Sequence, residues 1–492
     1  MSGARTATRL ARRGGKGRRA AAAVLGALAL LLALTGCGGG RQQVTVMVPW
    51  TGGELAAFQG LVADFEQHRP VDVHIEVTRA QDQELTAATE QNLPPDLAVL
   101  SDPSALLTLA GDLLPFSDPE STARERQLAQ PFLDLGTVTT HGRRQVLGLP
   151  IKADVKSLLW YPMPSRDDPG RAAASARRAF AALLDGSASG AARDWCLGLF
   201  SGPTSGWPGA DWISDFVLNE SGGPAAYQRW VRPDGRVDWS EPGLAAALAA
   251  WKRLLSSTSG PSPLAAGPDA AAAAMTPGTN GGSAAGAGAA AGASAAACGL
   301  DHGALSALGT KVLDGLGGSY GWTLPTANSP ALQVSADYLV MVRPPASPGH
   351  AAPARPRTAA VTELADWLTD RQEQSHWVGN AGAAGAPLSS ALSPYRDVPV
   401  TAYPTAARGL AALLDPPAGS PRATLCFSAA DVMAPGQATA FYQAVMQSAE
   451  SRTGLDTGLL GQVGKPVAAA AGAAASASAA DSATPYARSV CS

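Results

Sequence analysis

Between Val44 and Ala110 the chain alternates short apolar runs with segments of helical spacing, and this repeat constrains the fold more than any other feature. Val44-Thr45-Val46-Met47-Val48 reads as a strand. From Glu54 to Gln67, Leu55, Phe58, Leu61, Val62 and Phe65 recur three or four residues apart, the period of a helix with one buried face. A second strand is predicted over Val71–Val77, a helix around Asp82 to Gln91, a third strand over Asp96–Leu100 and a helix from Pro103 to about Ala110. Strands that alternate with helices specify an α/β fold with a mainly parallel sheet covered on both faces. In such sheets ligands sit beyond the carboxyl ends of the strands. That places Trp50 and Glu54, with Ser101 and Asp102, on one rim.

The N-terminus carries an address. Seven cations and no acid occupy residues 1–36, and the apolar run Ala20 to Leu34 is too short for a membrane-spanning helix of roughly 20 residues. The run closes in Leu34-Thr35-Gly36-Cys37, small residues before a cysteine, which look like the lipobox of bacterial lipoproteins. Residues 1–36 are therefore expected to be a signal peptide, Cys37 the acylated N-terminus and 37–43 a tether, holding the protein on the extracytoplasmic face of the cell membrane. Without the seven cations, 30 basic side chains face 40 acidic ones. So acidic a body argues against nucleic-acid binding, which needs Lys and Arg to replace counterions along phosphates.

Cys196, Cys298, Cys426 and Cys491 remain, an even number that suits two disulfides outside the cytoplasm. Three pairings are open, and Cys196 to Cys298 with Cys426 to Cys491 closes the shortest loops. No CxxC or CxxH spacing supports zinc, and no metal or other cofactor is expected. Residues 257–297 are mostly Gly, Ala, Ser and Pro, as is the stretch from Val467 to about Ala483, so a flexible insertion and a low-complexity tail over 466–492 are predicted.

Two constellations carry chemistry. Lys152, Asp154 and Lys156 fall on one face of an extended segment, because strand side chains alternate with period two. Three charges there need water, internal pairing or a polar ligand. Ser205 to Asp215 holds Trp207, Asp211, Trp212 and Asp215 in a chain only 6% aromatic. Indole faces stack on sugars while carboxylates accept from their hydroxyls; equally, Trp212 suits the inward side of a helix starting near Pro208, with Asp211 in its first turn. Asp211 and Asp215 have the types of a glycosidase pair, but i, i+4 acids are common on solvated helices. HExxH and Walker motifs are absent from the sequence, and a non-enzymatic role is expected.

The blocks Trp50-Thr51-Gly52-Gly53-Glu54, Leu93-Pro94-Pro95-Asp96-Leu97-Ala98, Pro150 to Ser157, Trp195-Cys196-Leu197-Gly198, Ser205 to Asp215 and Asp431-Val432-Met433 resemble, in order, the solute-binding proteins of ABC sugar importers. The likeness is to the alpha-glucoside branch related to maltose-binding proteins and runs from about residue 44 to 455. It implies a two-lobed, periplasmic-binding-protein-like (Venus flytrap) fold with several hinge crossings, near Asp154 to Ser157, Gly321 to Pro325 and Gly385 to Pro387. The first lobe would comprise 44–154 and 325–384, the second 155–324 and 385–465. It further implies a monomer that closes on a small-molecule sugar and serves ABC permease subunits in the membrane. Trp50 and Trp207 would stack, Glu54, Asp154 and Asp211 would take hydroxyls, Lys152 and Lys156 would set their ionisation, and Ser101, Asp102 and Trp212 would complete the cleft. The alternative is a descendant that keeps the scaffold as a sensor or envelope interaction protein; Ala and Gly where the family has a wall residue before Cys298 favour it, and the charges at 152–156 oppose it.

Overall fold

In the computed structural model the opening elements follow the predicted order: strand Gln42–Val48, helix Gly52–His68, strand Val71–Val77, helix Gln81–Glu90 and strand Leu97–Leu100. The structure describes residues 41–163, 169–187, 195–220, 222–275, 297–308, 310–326, 331–345, 355–379, 390–417, 419–458, 460–461, 483–487 and 489–492. The signal segment with Cys37, the Gly385 to Pro387 crossing and most of the two Ala-rich stretches lie outside them. Helix Gly52–His68 buries Phe58, Leu61, Val62 and Phe65, four of the five residues whose spacing predicts it.

The main sheet is mixed, where the local alternation predicts mainly parallel pairing. Strand Gln42–Val48 runs parallel to Leu97–Leu100. The twelve-residue strand Ala331–Val342, buried at every position, then lies antiparallel to both Leu97–Leu100 and Gly148–Val155. A strand that arrives from a distant part of the chain, and not through a local helical crossover, is free to pair in either sense. The short strand Thr424–Phe427 adds parallel to its first half. The sheet therefore takes a strand from the span expected in the second lobe.

The other half is built around helix Trp207–Asn219, buried continuously from Pro208 to Leu218. A helix apolar on nearly every side must be wrapped by others, and helices Gly223–Trp230, Pro242–Ser256 and Pro435–Ser451 pack on it. The Ser-Gly-Trp-Pro-Gly block is its starting device. Gly206 takes φ 104°, and a Cβ there would lie 2.3 Å from the Tyr442 carbonyl oxygen, so only glycine fits. Pro208 follows at the first turn, where a missing N–H costs nothing.

Cys196 is bonded to Cys298 and Cys426 to Cys491. The first bridge anchors a segment predicted as flexible. Residues 257–275 are folded: Leu199 donates to the Pro263 carbonyl at 2.9 Å and Phe200 to that of Ala266 at 3.0 Å, and Pro268–Ala273 is a helix with Ala271 and Ala272 buried. Small side chains permit this closeness. The tail also ends in structure, since Leu425 and Phe427 donate to the carbonyls of Ser492 and Val490 at 2.8 Å, and Thr484–Pro485 pairs with Thr137–Thr140.

Candidate functional site

Between the main sheet and the helical half lies a cleft of about 690 Å³. Trp50, Glu54, Ser101, Asp102, Lys152, Asp154, Lys156 and Trp207 line it, so eight predicted residues from four stretches of sequence meet there.

Its floor is an ionic array. Lys152 Nζ lies 2.7 Å from Asp154, 2.9 Å from Glu54 and 3.3 Å from Asp337. Burial opposes the lysine's charge, but the three carboxylates outweigh it and hold the ammonium well above its ordinary range. Burial likewise raises Glu54 and Asp154, only partly offset by Lys152. Asp337 also accepts from Trp50 Nε1 and Ser101 Oγ, each at 2.8 Å. Trp50 thus serves the site through its N–H. Its ring is packed against Phe58 and Trp377 and is 3% exposed, which leaves no free face for stacking.

Lys156 repeats the pattern, with Asp211 at 3.1 Å and Asp431 at 3.2 Å, and its Nζ stands 5.5 Å from the centre of the Trp207 ring. Trp207 is half-buried and keeps contact with the cleft.

Asp211 and Trp212 fall outside the lining and correct the sequence expectation. Asp211 is buried beneath Lys156, where its Oδ1 also accepts from Gln333 Nε2 at 2.9 Å and Ser428 Oγ at 3.0 Å. It ties three chain segments together under the floor. Trp212 is 1% exposed, packed against Trp195 and His302 in the second core. The i, i+4 acids are not a catalytic pair, since Asp215 is fully buried and bonded to Ser157 and His302.

Several lining residues lack a sequence prediction. Asp337 had a visible signal, a lone acid in an apolar run, and Asp431 sits in a block already singled out. Arg79 and Phe200 had none. Arg79 donates to Ser201 Oγ at 3.2 Å and Thr51 Oγ1 at 2.9 Å, bridging the two walls, and Phe200 stands in the lining 52% exposed.

Two buried carboxyls hold protons near neutrality. Burial pushes Asp431 up to about 7 against the pull of Lys156, and Asp301 up to about 8. An ordinary aspartate titrates near 3.9, so the fold favours the protonated forms, and the stability they lend is complete below that value and lost as pH rises through 7 to 8. Each group is expected to lower stability by up to about 1.4 kcal/mol per pH unit across that window. Denaturant melts between about pH 5 and pH 9 measure the slope, and Asp301→Asn should flatten it.

Two halves joined by a long antiparallel strand pair, with a charged cleft between them, define the two-lobed architecture of extracytoplasmic solute-binding proteins. Part of the chain is similar in sequence to two curated solute-binding proteins. The chain is 32% identical over 197 residues, 39% of its length and 43% of the relative's, to the alpha-glucosides-binding periplasmic protein AglE of Rhizobium meliloti. It is 28% identical over 216 residues to the osmoprotective compounds-binding protein GgtB of Synechocystis, covering 42% of this chain and 50% of that one. The aligned region thus spans half or less of these curated relatives. No family model matches the chain. Among solved structures, the bacterial solute receptor AcbH superposes with a TM-score of 0.60 over 87% of this chain and 97% of its own, at 14% identity.

Proposed function

We propose that the protein is a lipid-anchored, extracytoplasmic solute-binding protein that captures an alpha-glucoside or short oligosaccharide and presents it to ABC permease subunits. The observation that carries this reading is Asp154: it lines the cleft, is 6% exposed, and, with the Ser306 hydroxyl its neighbour in the lining, its Oδ1 makes no hydrogen bond of ordinary geometry among the described residues. A buried carboxylate oxygen in that state calls for a donor from a ligand. Trp207 supplies an apolar face in the same cleft, and the volume falls in the range of roughly 300–1,000 Å³ usual for small-molecule sites. AglE, the relative that aligns over part of the chain, is an alpha-glucosides-binding protein, which points to the same class.

Closure follows from differential contact. A sugar bound to Asp154 on one wall and Trp207 on the other stabilises the closed lobes only by touching both at once. Titration calorimetry against maltose, trehalose, sucrose and maltodextrins tests the assignment. Trp207→Ala should weaken the bound sugar tenfold or more while leaving the melting temperature nearly unchanged. Silence towards every sugar from folded protein would falsify the reading.

A further inference from the structure

The cleft lining carries more acids than cations: Glu54, Asp102, Asp154, Asp269, Asp337 and Asp431 against Arg79, Lys152, Lys156 and Lys311. An ammonium has three N–H donors, and those of Lys152 face Asp154, Glu54 and Asp337 at 2.7, 2.9 and 3.3 Å. Three carboxylates around one cation leave negative charge in excess to the extent that they are ionised, which burial limits at Glu54 and Asp154. Lys156 beside it has two acids of its own, Asp211 and Asp431. The other cations of the lining hydrogen-bond to neutral acceptors and make none of these ion pairs: Arg79 to Thr51 and Ser201, Lys311 to the carbonyls of Ala273 and Met275.

Buried charge is tolerated when it is paired. A sugar hydroxyl would satisfy the open Oδ1 of Asp154 but bring no charge, and a phosphate or carboxylate would add to the surplus. An ammonium would do both tasks at once. We propose that the cleft prefers a glycoside bearing a protonated amine, its ammonium seated against Asp154 Oδ1 beside Glu54. This rests on the sugar-binding reading above and narrows its ligand.

The test uses the mature chain and two matched trios in calorimetry: glucose, glucosamine and glucose 6-phosphate; trehalose, its 2-amino-2-deoxy analogue and trehalose 6-phosphate. In at least one trio the amine should bind tenfold or more tighter than its neutral parent and the phosphate tenfold or more weaker. Asp154→Asn, checked as folded by its melt, should bring the amine-to-parent ratio close to one, which a merely structural role for Asp154 would not do. If no trio shows that order, while any parent sugar binds, the amine preference is overturned and sugar binding is left standing. Failure of all six compounds overturns the amine preference, and sugar binding falls with it only if maltose, sucrose and maltodextrins are silent too.

Discussion

Lys152→Ala is expected to destabilise the protein by about 3–5 kcal/mol at neutral pH, the cost of removing one partner from a buried ionic cluster. The Lys152 side chain is 4% exposed, and those of Asp154, Asp337 and Glu54 are 9%, 12% and 20% exposed, so water reaches none of the four well enough to replace the ammonium. Without it three carboxylates repel one another in one place. Their escape is to take up protons, and burial already raises Glu54 and Asp154 above the ordinary range. The deficit should therefore shrink as pH falls, since a carboxyl whose folded pKa is raised is favoured by acid and penalised by base. Denaturant unfolding of parent and variant at about pH 5 and pH 8 reads both effects. A variant within about 1 kcal/mol of its parent at pH 8 would show that the cluster is solvated and its charges unimportant to the fold.

Trp212→Ala is expected to cost about 3–5 kcal/mol, the usual loss for a large aromatic in a packed core, and to leave ligand affinity nearly unchanged in whatever fraction stays folded. The ring centroids of His302, Trp195 and Phe216 lie 4.3, 5.0 and 5.5 Å from its own, so its removal opens a cavity that rigid neighbours cannot fill. Trp207→Ala should show the opposite split, weak on stability and strong on affinity. Melts and calorimetry on the two variants separate core from site. A Trp212 variant that melts with the parent but loses its sugar would return that residue to the cleft.

The contrast between these two tryptophans marks how far sequence carries. Both stand in one block, five residues apart, and the spacing indicates a helix beginning near Pro208. Which of the two meets a ligand depends on the segments that arrive around that helix. Trp195, Phe180 and His302 close over Trp212 from elsewhere in the chain, whereas Trp207, at the first turn, is left facing the cleft. Asp211 shows the same thing with a charge. Its type and position suit a sugar hydroxyl, but Lys156, Gln333 and Ser428 converge on it first.

The Ala-rich stretch is the plainest difference. Composition predicts flexibility over 257–297, because small side chains bury little area. Across 257–275 the structure uses that smallness. Gly198 runs so near Gly267 that a Cβ would lie 2.2 Å from its carbonyl oxygen, and backbone pairing with a disulfide close by holds what side-chain burial could not.

Local periodicity was enough to specify the α/β class, the helix Gly52–His68, the rim that carries Trp50 and Ser101, and the single face shared by Lys152, Asp154 and Lys156. These follow from spacing within a few residues, where helix and strand geometry act directly. The antiparallel strand Ala331–Val342, the partners that neutralise each lysine, and the choice between cleft and core for Trp207 and Trp212 came only with the tertiary structure. Each depends mainly on residues distant in sequence being brought together, and the free energy of burying a charge or a ring belongs to that assembled environment and not to the local sequence.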